Sequence, residues 1–355
     1  MNLADFDYHL PSELIAQEPL PDRAASRMLV LYRREARWED RRFRDLPSFL
    51  GPGDCLVLND SRVFPARLFG HRAGVRSLPI GKRNPKRHEY LSREVEVLLL
   101  RPVSADGRDW EALVRPGRKM RIGERIRFAE SLEAEILARG TFGERTVRFH
   151  TTADLFGECE RIGHMPLPPY IKRGDAPADR ERYQTVFARE RGSAAAPTAG
   201  LHFTSEILEE CRARGAAIAY ITLHVGLGTF QPLHAEQVEE ARLHAESFHI
   251  TEENAARMSS SQRLVAVGTT SVRTIESAMA GGGIQAQAGE TGIFIYPGYK
   301  FRATGAMLTN FHLPRTSLLL LVCAFAGTEL AVGAYRHAVE ERYRFYSYGD
   351  CMLIV

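Results

Sequence analysis

The chain has 355 residues, 44% of them hydrophobic and 26% charged, with 47 basic side chains against 44 acidic ones and a formal net charge of +3. That length suits two domains of ~100–200 residues each. The composition excludes a disordered chain, a collagen and a multi-span membrane protein, and the small net charge means that any nucleic-acid affinity must lie in where charges cluster.

In chain order, Leu10-Pro11-Ser12-Glu13-Leu14-Ile15 reads as a helix start, with proline early and an acid in the first turn. Residues 28–32 read as a strand. A turn at Gly51-Pro52-Gly53-Asp54 leads into a buried strand at 55–58, which runs into Asn59-Asp60-Ser61-Arg62. Composition then shifts: residues 62–93 carry nine Lys or Arg against one acid, Glu89, and 77–93 read as a mobile loop. Short alternating segments follow at 95–100, 110–114, 125–128, 132–137 and 146–149, separated by turns such as Asp106-Gly107, Pro116-Gly117 and Ile122-Gly123. That spacing predicts a small antiparallel barrel or sandwich.

The character changes again downstream. Residues 204–214 predict a helix with Thr204 as N-cap and Gly215 as stop. Strands are expected at 218–223, 264–267 and 293–296, and helices at 252–262, 274–280 and 328–343. The apolar run Ser317–Ala326 is half the ~20 residues a membrane span needs, so it is expected to be a buried core helix. Alternating strands and helices argue an α/β fold with a largely parallel sheet. The expected organisation is an α/β domain over 1–62 and 151–355, interrupted at 63–150 by an inserted, basic, antiparallel β-barrel.

The cysteines Cys55, Cys159, Cys211, Cys323 and Cys351 are scattered and form no Cys-x-x-Cys, so neither a disulfide framework nor a structural zinc site is expected. A reducing, cytoplasmic compartment fits. The acidic start Met1-Asn2-Leu3-Ala4-Asp5 has no apolar segment of the kind a signal peptide carries.

Four stretches crowd polar residues beside apolar strands. Asn59-Asp60-Ser61-Arg62 can present an amide, a carboxylate and a guanidinium together, or simply form an Asx-type turn with Arg62 on Asp60. The small-residue run 192–204 lets a ligand approach the backbone closely, with His202 just before the helix cap. His224-Val225-Gly226-Leu227-Gly228 follows a strand but lacks the third glycine of a dinucleotide fingerprint, and a histidine such as His224, taken alone, is more often a satisfied core residue than a catalyst. Gly268-Thr269-Thr270-Ser271 sits between a strand and a helix, where N–H groups and hydroxyls suit an anion or merely cap the helix. No metal-spaced cluster, Gly-x-Ser-x-Gly or Walker loop is present in the sequence. The residues alone lead to a cytoplasmic two-domain α/β enzyme with a basic module.

Together the strings resemble one family, the S-adenosylmethionine:tRNA ribosyltransferase-isomerases of queuosine biosynthesis. The resemblance runs through Asp7-Tyr8-His9-Leu10-Pro11, Asn59-Asp60-Ser61-Arg62-Val63-Phe64-Pro65-Ala66-Arg67, Trp110-Glu111-Ala112-Leu113-Val114-Arg115-Pro116-Gly117-Arg118-Lys119 and Pro197-Thr198-Ala199-Gly200-Leu201-His202-Phe203-Thr204. It continues through Thr222-Leu223-His224-Val225-Gly226, Val267-Gly268-Thr269-Thr270-Ser271-Val272-Arg273, Thr309-Asn310-Phe311-His312-Leu313-Pro314 and Arg344-Phe345-Tyr346-Ser347-Tyr348-Gly349-Asp350. Ser61 stands where the family usually has Thr, Ala245 where it has Ser, and 77–93 is longer and more basic than the family's short turn.

The resemblance implies an α/β domain with an inserted barrel and an unusual use of S-adenosylmethionine. The ribosyl portion is transferred to the aminomethyl group of 7-aminomethyl-7-deazaguanine at the tRNA wobble position. Epoxyqueuosine-tRNA forms, and adenine and methionine leave. Such chemistry needs a base for the carbon beside the sulfonium and a hydrogen-bond donor or acid for the departing adenine. Catalytic candidates are Asp60, His202, His224, Glu246, Glu276 and His312. Candidates for holding S-adenosylmethionine are Asn59, Arg62, Thr269, Thr270, Ser271, Arg273 and Asn310. Arg273 is expected to face the methionine carboxylate or brace Glu276. Candidates for tRNA are Lys82, Arg83, Arg115, Arg118, Lys119 and Arg121. No metal, no membrane contact and a monomer are expected. A tRNA methyltransferase using S-adenosylmethionine and a non-catalytic tRNA-binding module are the alternatives.

Overall fold

The computed structural model describes residues 1–73, 91–117, 120–140, 143–151, 153–226, 238–240, 243, 245–280 and 282–355. Its strands are, in chain order, β1 (Arg27–Tyr32), β2 (Arg37–Arg42), β3 (Asp54–Asn59), β4 (Ser61–Val63), β5 (Arg67–Arg72), β6 (Glu94–Pro102), β7 (Asp109–Arg115), β8 (Arg125–Ala129), β9 (Leu132–Arg139), β10 (Glu144–Thr151), β11 (Glu190–Ser193), β12 (Ala217–Leu223), β13 (Glu246–Ile250), β14 (Arg263–Val267), β15 (Gln287–Thr291), β16 (Thr304–Asn310) and β17 (Cys351–Ile354).

The main sheet is mixed, in the order β15-β13-β12-β3-β14-β16-β17-β1-β2. Its centre, β12-β3-β14-β16, is parallel, so these four strands deliver their carboxyl ends to one edge. β3 lies at the middle of that block and is buried along its whole length. Its side chains alternate between two cores, as the strand period of two requires. Cys55 and Val57 join the core under the helices Glu252–Ser259, Thr269–Ala280, Ser317–Ala326 and Thr328–Glu340. Leu56 and Leu58 join the opposite core, where the helix Ser205–Ala213 packs. A strand buried on both faces reads as a continuous apolar run, which is why 55–58 is legible in the sequence.

Ser317–Ala326 is a helix buried nearly all round, capped by Thr316 and ended by Gly327 at φ +92°. Among the described residues no single helix is long and apolar enough to cross a membrane.

The second unit is a closed antiparallel barrel, β10-β7-β6-β5-β8-β9. Its strands alternate buried and half-exposed positions, as in β7, and Trp110, Ala112 and Val114 of that strand enter the barrel core. Gly70 is required where β5 passes β8, because a Cβ there would lie 2.6 Å from the Arg127 carbonyl oxygen. The barrel wall is rich in arginine, yet Arg101, Arg125, Arg127 and Arg148 face Glu111, Glu133, Glu135 and Asp109 across the strands.

The structure departs from the sequence reading in several places. No strand forms at 293–296; the strand is one step earlier, at β15. β2, β5, β16 and β17 are not expected from the sequence, and the last of these is only four residues long. The helix expected from 274 begins at Thr269, directly after Gly268 at φ +90°. Its first turn is Thr-Thr-Ser, residues with modest helix propensity, so the sequence signal begins too late.

Candidate active site

The carboxyl ends of β3, β12, β14 and β16 converge where chain order switches sides of β3, the place where open α/β sheets bind ligands. A cleft of about 630 Å³, including its open mouth, lies there. Its walls come from 196–199, Val225, Gly268 to Thr270, 309–313, Thr316, Leu318, Tyr170, Tyr346 and Ser347. Among the described residues, no Asp, Glu, Lys or Arg lines it.

Gly268 makes the turn from β14 into the Thr269–Ala280 helix, and its N–H is held by the Leu308 carbonyl at 2.8 Å. The three hydroxyl residues that follow behave differently. Ser271 Oγ donates back to the Val267 carbonyl at 2.8 Å and is wholly buried. Thr269 and Thr270 both line the cleft. Thr270 Oγ1 is buried with no hydrogen-bond partner among the described residues, at the positive end of a 12-residue helix.

At the end of β16, Asn310 is fixed from four sides. Its Nδ2 lies 3.1 Å from His202 Nε2 and donates to the Tyr346 and Asp350 carbonyls, while Oδ1 accepts from Thr198 Oγ1 at 3.0 Å. His202 Nδ1 lies 2.8 Å from Ser26 Oγ. Burial, with Arg23 and Arg344 nearby, pushes the His202 pKa down to about 3. His312 Nε2 lies 2.8 Å from Thr309 Oγ1, and burial lowers its pKa to about 3 as well. Of these two neutral imidazoles, only His312 lines the cleft; His202 stands behind Asn310.

A second cluster flanks the cleft at the ends of β3 and β12. Asn59 knits the two strands past their last ladder bond: Nδ2 donates to the Leu223 carbonyl, and Oδ1 accepts from the N–H groups of Ser61 and Leu223. Asp60 is buried and accepts from Thr222 Oγ1 at 2.7 Å and from Arg189 at 2.9 Å. The partner of Asp60 is thus Arg189, which the sequence reading did not single out, rather than Arg62, whose side chain is exposed. His224 packs its ring on Gly192, where a Cβ would come within 3.0 Å. Its Nδ1 is buried without a partner among the described residues, and burial lowers its pKa against the opposing pull of Glu190 and Asp60.

The remaining carboxylates lie off the cleft. Glu246 forms a buried ion pair with Arg273 and accepts from the Gly226 N–H at 2.9 Å. Arg273 also donates to the Thr291 and Ile293 carbonyls, so it clasps β13 and β15 and neither lines the cleft nor braces Glu276. Glu276 is fully buried and accepts from the N–H groups of Arg302, Ala303 and Thr304 and from the hydroxyls of Thr304 and Tyr299. It anchors the 299–304 loop.

Of the basic residues named for tRNA, Arg115 and Arg121 are exposed on the barrel. Lys82, Arg83, Arg118 and Lys119, like the rest of 77–90, lie outside the described residues. Arg115 borders an open groove between β5–β7 and the segment 167–171. The same segment presents Tyr170 to the cleft.

A family model described as Queuosine biosynthesis protein matches residues 3–354. A relative from Solibacter usitatus named S-adenosylmethionine:tRNA ribosyltransferase-isomerase is 73% identical over 355 residues, covering 100% of both chains. One of the same name from Symbiobacterium thermophilum is 50% identical over 361 residues, again covering both chains fully. The crystal structure of S-adenosylmethionine tRNA ribosyltransferase from Thermotoga maritima matches with a TM-score of 0.54 at 35% identity, covering 99% of this chain and 100% of that one.

Proposed function

This chain belongs to the queuosine biosynthesis protein family, and from that premise we propose that it is an S-adenosylmethionine:tRNA ribosyltransferase-isomerase acting in the cytoplasm. It moves the ribosyl portion of S-adenosylmethionine onto the aminomethyl group of 7-aminomethyl-7-deazaguanine in tRNA, isomerises it, and releases adenine and methionine.

The observation that carries this reading is the cleft at the parallel strand ends, lined by no charged side chain among the described residues and with Thr270 Oγ1 unsatisfied among them at a helix N-terminus. S-adenosylmethionine would bring one carboxylate, one ammonium, one sulfonium and a flat purine to such a wall. The carboxylate takes the helix end, its N–H groups and the Thr270 hydroxyl. Tyr170, Phe311 and Tyr346 give that wall aromatic character, which favours a cation and a purine without a counter-charge that would quench the sulfonium. Asn310, locked by its four partners, offers a rigid wall.

The base that takes the proton beside sulfur must be neutral or anionic in the resting protein. His224 fits best: burial favours its uncharged form, its Nδ1 has no partner among the described residues, and it precedes Val225 on the cleft wall. Asp60, held by Arg189, stands on the same strand ends as its alternative. tRNA lies along the barrel, with Arg115 and Arg121 at its backbone, and reaches the cleft past the 167–171 segment.

The test is to incubate the protein with labelled S-adenosylmethionine and tRNA bearing the 7-aminomethyl-7-deazaguanine base. Free adenine and methionine are expected. S-adenosylhomocysteine instead would make it a methyltransferase, and binding without turnover a tRNA-binding module.

A further inference from the structure

Among the described residues, two buried hydroxyls on the cleft wall have no hydrogen-bond partner, Thr270 Oγ1 and Tyr346 Oη. Most other side-chain donors there are engaged: Thr198 on Asn310, Thr316 on the Leu313 carbonyl, Thr309 with His312 and Ser347 with Tyr170. A buried O–H without a partner costs ~1–3 kcal/mol, so it persists where something else fills it.

Tyr346 is also held in an unfavourable backbone conformation. Its φ is +72°, the left-handed region that a bulky side chain rarely adopts. The surroundings impose it: the Tyr346 carbonyl accepts from Gly349 N–H at 2.8 Å and from Asn310 Nδ2 at 3.2 Å, while its own N–H donates to the Phe311 carbonyl at 3.2 Å. The residue is 6% exposed, and its ring lies beside Tyr170, centroids 4.2 Å apart. Strain over-determined in this way gathers at ligand sites.

We infer that the Tyr346 phenol is the hydrogen-bond donor that receives the departing adenine of S-adenosylmethionine. The inference rests on the functional reading above. When the C1′–N9 bond breaks, its electron pair moves onto the purine, and the phenol O–H bonds the ring nitrogen where that charge collects. The phenol keeps its proton; the purine takes one from water, and the acceptor amine returns one to water as it forms its new C–N bond. Burial pushes the Tyr346 hydroxyl well above its ordinary pKa, so it stays a donor at neutral pH. Thr270 cannot take this part while it holds the carboxylate at the helix end, which leaves Tyr346 as the purine's partner.

Tyr346→Phe tests this, because it removes one oxygen and leaves the ring. Adenine release would be followed in single turnover with modified tRNA, alongside S-adenosylmethionine affinity and thermal unfolding. The expected result is a rate ~10²-fold below wild type, the loss typical of one donor to a developing anion. Affinity should stay within about threefold, and the unfolding temperature should not fall, since an unsatisfied group has been removed. A rate within about threefold of wild type overturns the inference, as does an affinity loss that matches the rate loss. Wild-type protein that yields S-adenosylhomocysteine or no adenine overturns the functional reading itself, and this inference with it.

Discussion

The side-chain Nδ2 of Asn310 lies 3.1 Å from Nε2 of His202, and this one contact assigns the histidine its role. Asn310 Nδ2 must be the donor, because it also faces two carbonyl oxygens. His202 Nε2 is therefore bare, its proton sits on Nδ1, and that N–H points to Ser26 Oγ at 2.8 Å. A neutral imidazole with both nitrogens engaged positions Asn310 and takes no proton from substrate. His202→Ala should cost ~2–4 kcal/mol of stability, through a cavity and two stranded polar groups. The acid limb of the pH–rate profile should keep its midpoint. Denaturant midpoints and a pH–rate series check both, and a lost acid limb with intact stability would restore His202 as a base.

Burial also makes stability depend on pH. His202 and His312 both have pKa values pushed down to about 3. In the unfolded chain they titrate near ~6.5. Between these values the unfolded state binds protons that the folded state refuses, so stability is full above pH ~6.5 and falls as pH drops. Each histidine contributes a slope of about 1.4 kcal/mol per pH unit, and the pair about twice that. Urea unfolding between pH ~6.5 and ~5, above most carboxylate titrations, should show this decline. His202→Gln should remove about half of it; a flat profile in wild type would mean that water reaches these rings.

Much of this is legible in the sequence where local pattern and burial agree. The run at 55–58 and the alternating barrel segments declare themselves because one period governs each. The final strand does not: Cys351–Ile354 is short, and it is a strand because β1 and β16 lie on either side of it. The site is half legible. Proximity in the chain suggests Arg62 for Asp60 and Glu276 for Arg273, whereas the fold supplies Arg189 and Glu246 from other elements. Glu276 is a catalytic candidate from the sequence as an acid close to the Gly268-Thr269-Thr270-Ser271 stretch; the fold has it collect the N–H groups of a loop that nothing local places beside it. Tyr346 carries no local signal, since its positive φ, and a hydroxyl without a partner among the described residues, exist only in the folded chain.

Among the described residues, Arg67, Arg101, Arg125, Arg127 and Arg148 of the barrel face carboxylates, which narrows where a polyanion can gain. The Arg115 side chain is 74% exposed, 3.9 Å from Glu96, and borders the groove beside the cleft. Arg115→Gln with Arg121→Gln should weaken tRNA binding and reduce its salt slope by roughly one for each phosphate no longer neutralised. S-adenosylmethionine affinity should not change. Binding isotherms at several salt concentrations decide it, and an unaltered slope would move the tRNA interface off this face of the barrel.

Thr270 and Ser271 are adjacent hydroxyls in the first turn of one helix, and the fold gives them different work. Ser271 Oγ donates to the Val267 carbonyl and ties the helix to β14. Thr270 Oγ1 has no partner among the described residues, and Thr270 lines the cleft. A methionine carboxylate at the helix end would accept from Thr270, a charge-assisted bond worth ~1.5 kcal/mol or more. Thr270→Val keeps the branched shape and removes that donor. It should raise the S-adenosylmethionine dissociation constant roughly tenfold, with stability unchanged or slightly higher because a buried unsatisfied hydroxyl is gone. Ser271→Ala should do the reverse, costing ~1 kcal/mol of stability and leaving affinity near wild type. Both variants need only calorimetric titration and thermal unfolding. If Thr270→Val binds as tightly as wild type, the carboxylate does not sit at this helix, and the ligand lies in the cleft in the opposite sense.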